Sequence, residues 1–223
     1  GIVYAFSGED KYANFAKKLL LAYAEAYPNY GVGARKGFAH DPSKVFDQRL
    51  GDATWLIQVA RGYDFIYNTA MTDEERRHIE DDLLKASAKF IAANRAMVQA
   101  PTNWSAIATC AILTTAVATD DDDLFRTAMF GRNKGRSENE WWNGNPNPGP
   151  QGVELHFSQR AISEDGLWSE GAMGYQFMAL QALVMDAEIL WHKGIDLYRY
   201  RDGALKRLFD SPLQYSYPDL RTP

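Results

Sequence analysis

The stretch EDGLWSEGAMGYQFMALQALVMDAEILWHKGIDLY, Glu164 to Tyr198, decides how the rest of the chain is read. It opens on a polar turn at Asp165 and Gly166 and continues through small residues, Gly171, Ala172 and Gly174. Tyr175 follows directly, at the start of a helical pattern in which Leu180, Leu183, Val184, Ala187 and Leu190 recur on one face. A phenol on the first turn of a helix, just after a glycine-containing loop, is held rigidly and still faces outward. Tyr175 is either the centre of the chemistry or one more half-buried aromatic among twelve tyrosines.

Outward from this helix the same rhythm repeats. Ser7 with Asp10 resembles a capping box and predicts a helix to about Tyr27, with Tyr12, Phe15, Ala16, Leu19, Leu20 and Tyr23 inward. A second helix is expected over Asp52–Tyr67, and a third from the capping box Thr72/Glu75 to about Met97, with Ile79, Leu83, Ala86 and Phe90 inward. Asn103 is an N-cap candidate for a helix Trp104–Ala118 that is apolar nearly all round, hence buried on most sides. Asp120 to Asp123 charge the start of a short helix ending near Phe130; consecutive aspartates diverge and lack calcium-loop spacing, so no metal is assigned. Val153–Phe157 reads as a short extended segment, and Gly203–Phe209 as a last turn or two before Pro212. No strand pattern of alternating period stands out. The fold class expected is all-α: antiparallel helical hairpins, joined by short loops, that can close into a ring around a cleft.

Composition excludes several functions. With 223 residues, 46% of them hydrophobic, a sizeable core is available. A net charge of −5 argues against a nucleic-acid binder, and no apolar run reaches membrane-spanning length. The single cysteine, Cys110, sits in an apolar helical pattern and reads as a small core residue. There is no phosphate-binding or dinucleotide glycine loop and no pair of histidines at metal spacing, so no cofactor is expected. Ser163 and Ser169 lack a local base. Near the central stretch this leaves Tyr175, His156, Arg160, Glu164, Asp165 and Glu170, with Asn103 upstream. Glu170 either touches substrate or fixes its loop by accepting backbone N–H bonds. Gln48 and Arg49 either line a cleft or cap the helix beginning near Asp52. Trp141 and Trp142, in the long irregular stretch Gly131–Gly152, either stack on sugar rings or pack that loop down; the basic Arg35, Lys36 and His40 sit in an earlier glycine-rich loop.

The run DGLWSEGAMGYQFMALQAL resembles the heparinase II/III and alginate-lyase-like group of polysaccharide lyases, in which an Asp-Gly-aromatic-Glu-Gly loop leads into the helix of the catalytic tyrosine. Residues 194–220, Asn103-Trp104 at a helix start and the early run GEDKYANFAKKLLLAYAEAYPNY carry the same similarity. The resemblance implies an incomplete (α/α) toroid spanning residues 1–223 as one catalytic domain, a piece of a longer chain with a C-terminal β-sandwich. It implies β-elimination of a uronic-acid polysaccharide, alginate first and a glycosaminoglycan-like polymer second, in the periplasm or outside the cell. By matching position Asn103 is the residue that neutralises the uronate carboxylate and Tyr175 the base or acid; His156 is a partner base or a second carboxylate ligand. Trp104, Trp141, Trp142, Arg160, Glu170, Gln48 and Arg49 are the accompanying substrate-binding candidates. Two departures stand out: Trp104 occupies a place where several alginate lyases have histidine, and no β-sandwich is present to contribute a histidine. The competing readings are a toroid glycoside hydrolase using Asp165 and Glu170, and a non-catalytic glycan-binding helical domain.

Overall fold

The structure is a computed structural model that describes residues 1–33, 42–69, 71–94, 96–131 and 150–216. Trp141, Trp142, Arg35, Lys36 and His40 lie outside the described residues. Among those described, secondary structure is helical, with only two isolated antiparallel bridges, Gly33 with Ser43 and Ile162 with Trp168. The all-α expectation holds. The chain's contacts divide into two compact units, Gly1–Arg95 with Ala111–Arg126, and Ala96–Cys110 with Thr127–Pro223.

The first unit holds α1 (Ile2–Ser7), α2 (Asp10–Ala26), α3 (Arg49–Asp64), α4 (Asp73–His78), a π-helical turn (Ile79–Lys85) and α5 (Ala86–Ala93). The capping box expected at Ser7 does not form. Gly8, in the left-handed region at φ 66°, ends α1, and α2 starts afresh after Glu9. The buried face of α2 is Ala13, Leu20 and Ala24, whereas Phe15 is 70% exposed and Leu19 also faces outward. Small alanines, not the large residues, make the close approach there. Helix α3 begins three residues before the expected Asp52, because that carboxylate is committed elsewhere: it accepts the backbone N–H groups of Lys44, Val45 and Phe46 at 2.8, 3.2 and 2.9 Å. The Thr72/Glu75 capping box is present with both its bonds. The helix it opens does not stay α-helical. An extra residue in the π turn moves the inward face by one position, so Leu84, Ala88 and Ile91 are buried where Ala86 and Phe90 were expected.

The second unit holds α6 (Ala96–Gln99), the first half of α7 (Asn103–Ala118), α9 (Gly152–His156), α10 (Met173–His192) and α11 (Ala204–Ser216); the rest of α7 and most of α8 (Asp122–Phe130) belong with the first unit. As expected, α7 is buried on nearly every side. The segment 153–157 is helical rather than extended. Within it Glu154 faces outward while Val153, Leu155, His156 and Phe157 are buried, so Val153, Leu155 and Phe157 mimic a strand's alternation without being one. On α10 the buried face includes Leu180, Leu183, Ala187 and Leu190 as expected, but Val184 faces outward and two polar residues, Gln176 and Asp186, face inward.

Gln176 explains why α11 runs past the expected stop at Pro212. Proline has no N–H, so the Leu208 carbonyl, four residues back, lacks its helical donor. The buried Gln176 amide supplies it: Nε2 donates to the Leu208 oxygen at 2.9 Å and to Ser211 Oγ at 2.7 Å. Its Oε1 accepts the Trp168 backbone N–H at 3.1 Å. One side chain thus fastens α10 to α11 and to the loop preceding α10. Asp186, fully buried farther along α10 near the Cys110 thiol, has its carboxyl pushed up to about 8 by burial.

Gln176→Leu should cost about 2–4 kcal/mol in denaturant unfolding, since it orphans a buried N–H and a buried C=O at once. Asp186 is neutral in the fold and ionises readily once unfolded. The stability it contributes is therefore complete below about pH 4 and is lost as pH rises toward about 8. Melting curves should show the stabilisation of Asp186→Asn over wild type growing from about pH 5 to about pH 8 and then levelling.

Candidate functional site

The loop from Ala161 to Ala172 is a tight hairpin-like turn. Ser163 N–H bonds the Leu167 carbonyl, Ser169 N–H bonds the Ala161 carbonyl, and Gly166 takes φ 77° at the tip. A Cβ at Gly166 would lie 2.2 Å from the Arg207 carbonyl oxygen, so only glycine fits between loop and α11. Arg201 Nη1 pins the approach, donating to the carbonyls of Phe157 and Ile162 at 3.0 and 3.2 Å. The loop carries the buried Trp168 and, two residues on, Glu170.

Glu170 joins this loop to the start of α7. Its Oε2 accepts the Asn103 backbone N–H at 2.5 Å and the Trp168 indole N–H at 2.8 Å. Ser169 Oγ adds a short bond to the Pro101 carbonyl. A carboxylate on a helix N-terminus gains from the dipole as well as from the bond. Of the two readings open for Glu170, the one in which it fixes the loop matches its partners.

Asn103 is not the N-cap. Thr102 is: its Oγ1 accepts the Ser105 N–H at 3.2 Å and its carbonyl accepts from Ala106. Asn103, the next residue, keeps its side chain for other contacts. Oδ1 accepts the Trp104 N–H at 2.8 Å, which orients the amide, and Nδ2 donates toward Met178 Sδ at 3.4 Å. Met178 lies three residues after Tyr175 on α10, hence on the same face one turn away. The Asn103 amide therefore meets α10 on the face that carries the phenol. Asn103 itself is 1% exposed, whereas Tyr175 is 49% exposed.

His156 lies beneath this arrangement. It is completely buried, with Nε2 3.0 Å from Ser105 Oγ on the first turn of α7 and the Ala100 backbone beside the ring. Burial lowers its pKa to about 4, so it is neutral near pH 7. Its contacts in this structure are with the start of α7.

The other candidates are placed as follows. Trp104 is half-buried beside Asn103, and Arg160 is exposed on the turn after α9. Gln48 and Arg49 belong to the first unit. Gln48 precedes α3 without capping it through its side chain, and Arg49 is buried, with Nε bonded to the Pro42 carbonyl at 2.9 Å and its guanidinium 4.6 Å from the Phe90 ring centre. Three residues that sequence reading passed over hold the site: Thr102, Gln176 and Met178. The i, i+3 spacing of Tyr175 and Met178 was the available signal for the last.

A family model described as alginate lyase matches residues 1–221. The exo-oligoalginate lyase of Saccharophagus degradans is 28% identical over 225 aligned positions, which cover 97% of this chain and 28% of that protein. The alginate lyase of Stenotrophomonas maltophilia is likewise 28% identical over 225 positions, covering 100% of this chain and 28% of that protein. The chain therefore spans little more than a quarter of the length of the curated relatives it matches. A match that runs from the first residue through α10 and α11, and includes the loop–helix unit built around Glu170 and Tyr175, settles kinship: the chain belongs to the alginate lyase family.

Proposed function

We propose that the protein acts as a polysaccharide lyase on an alginate-like uronate polymer, with Asn103 holding the uronate carboxylate and Tyr175 moving the proton. The observation that carries this reading is the approach of the Asn103 amide to Met178, one helical turn from the exposed Tyr175 phenol. Family membership and the printed activities of the two relatives support the substrate class. A glycosaminoglycan-like polymer is the second substrate to try. In this reading the helices form part of an incomplete (α/α) toroid within a longer catalytic protein that meets its polymer in the periplasm or outside the cell.

The chemistry follows from charge. The proton on C5 of a uronate is a poor acid while the adjacent carboxylate is fully charged. An amide N–H donated to that carboxylate favours the enolate-like intermediate, because the bond strengthens as charge accumulates on the oxygens. Tyr175, at the open end of α10, takes the C5 proton as base and returns a proton to the departing glycosidic oxygen at C4 as acid. The C4–O bond breaks, a C4=C5 double bond forms, and the new non-reducing end absorbs in the ultraviolet. Trp104 offers a ring face next to Asn103 against which a sugar can lie. Arg160, Trp141, Trp142 and Gln48 remain candidate contacts for the rest of the polymer. His156 and Glu170 act beneath the surface by fixing the α7 start. The engagement of Glu170 Oε2 by two donors also weighs against its use as one of a hydrolase's paired carboxylates.

Incubating the protein with alginate should yield an ultraviolet-absorbing unsaturated end; reducing ends without that absorbance would mean hydrolysis and overturn the reading. Tyr175→Phe should lower kcat by about 10²-fold or more at unchanged melting temperature, and Asn103→Ala should lower it by about 10²–10³-fold. Glu170→Ala should lose about 1–3 kcal/mol of stability together with activity, whereas Glu170→Gln, which keeps an acceptor, should retain most of both.

A further inference from the structure

The lyase reading asks the Asn103 amide to meet a carboxylate, yet Asn103 is 1% exposed. The group against the amide nitrogen is a thioether: Nδ2 to Met178 Sδ is 3.4 Å, and Met178 is itself 37% exposed. We propose that Met178 is a displaceable cover on the Asn103 amide, occupying the place of the uronate carboxylate and setting how tightly that carboxylate binds. The inference rests on the proposed role of Asn103.

Four features carry it. The amide cannot turn its nitrogen elsewhere without giving up the Oδ1 bond to Trp104 N–H, so the donor stays aimed at α10. Sulfur is a weak acceptor, and a carboxylate makes a stronger, charge-assisted bond to the same N–H, so exchanging one for the other is favourable. Methionine is unbranched with three rotatable bonds, and this one lies on the outward face of α10 with Tyr175 and Phe177, where it can swing without disturbing the buried Ala179, Leu180 and Leu183. The other groups at the α7 start are tethered: Glu170 by two donors, and Ser105 by its contact to His156. Met178 is the mobile member of an otherwise fixed set.

The test uses a saturated trimannuronate as probe, bound to protein carrying Tyr175→Phe so that no turnover occurs. Binding is read by the ¹H–¹⁵N signals of the Asn103 side-chain amide, whose exchange with water is measured without ligand. Met178→Ala should speed that exchange and tighten trimannuronate binding about threefold to tenfold, the worth of one weak hydrogen bond no longer broken. Met178→Ile, stiff at χ1, should weaken binding by a similar factor. Melting curves should be alike for all three proteins, because the position is half-exposed. Unchanged exchange and affinity in Met178→Ala would overturn the cover. If both respond as stated while the protein with Tyr175 intact yields no unsaturated product, the cover stands and the lyase assignment falls.

Discussion

The second unit depends on one buried amide. Gln176 is placed on α10 where it can bond a loop N–H, the Ser211 hydroxyl and the carbonyl that Pro212 strands in α11. Every polar atom of that side chain is used, and in a low-dielectric interior a fully satisfied network is both strong and specific. The position of the Ala161–Ala172 loop follows from it, through Trp168. The position of Glu170 follows from the loop, and the orientation of the α7 start follows from Glu170. Asn103 is thus located by a chain of hydrogen bonds that begins at the residue next to Tyr175. The amide and the phenol share a common foundation although 72 positions separate them in sequence.

This arrangement separates groups that hold from groups that meet solvent. Thr102, Ser105, His156, Glu170 and Gln176 bond one another or the backbone. The neutral His156 brings no charge under the helix start, and the Glu170 carboxylate offsets the positive end of the α7 dipole there. With the Asn103 N–H claimed by Glu170 and the Trp104 N–H claimed by Asn103, the donor left, in the proposed reading, for an incoming carboxylate is the Asn103 amide nitrogen. A single directional donor selects position more sharply than a diffuse helix end would, which suits a reaction that must align one carboxylate beside one C–H bond.

The sequence carried much of this and obscured the rest for physical reasons. The long α10, the Thr72/Glu75 box, the all-round burial of α7 and the nearness of Asn103 to a helix start were legible, since each is a local signal of spacing or capping. The inward face of α5 was not, because a π turn shifts the register by one residue without a glycine or proline to announce it. Residues 153–157 alternate like a strand because the exposed Glu154 falls between the buried Val153 and Leu155, and so short a segment carries too little periodicity to tell helix from strand. Pro212 reads as a stop; only a tertiary donor, Gln176, lets the helix pass it. The capping role went to Asn103 rather than Thr102 because either residue type serves, and the choice rests on which hydroxyl or amide reaches Ser105 N–H. The complete burial of His156 was not legible either, because burial does not show in a residue's name.

A covered donor has a cost and a use. If the amide is free of Met178 only part of the time, apparent affinity falls by that fraction. In return, the amide nitrogen sits behind apolar surface rather than in bulk water. A hydrogen bond made there acts in a lower dielectric, so its strengthening as the carboxylate takes on enolate charge is screened less. Binding and turnover then ask opposite things of the residue at position 178: exposure favours the first, dryness the second. In the proposed cover a flexible thioether meets both demands, yielding to a charged ligand and closing around it. A rigid branched side chain would meet only the second, and an alanine only the first.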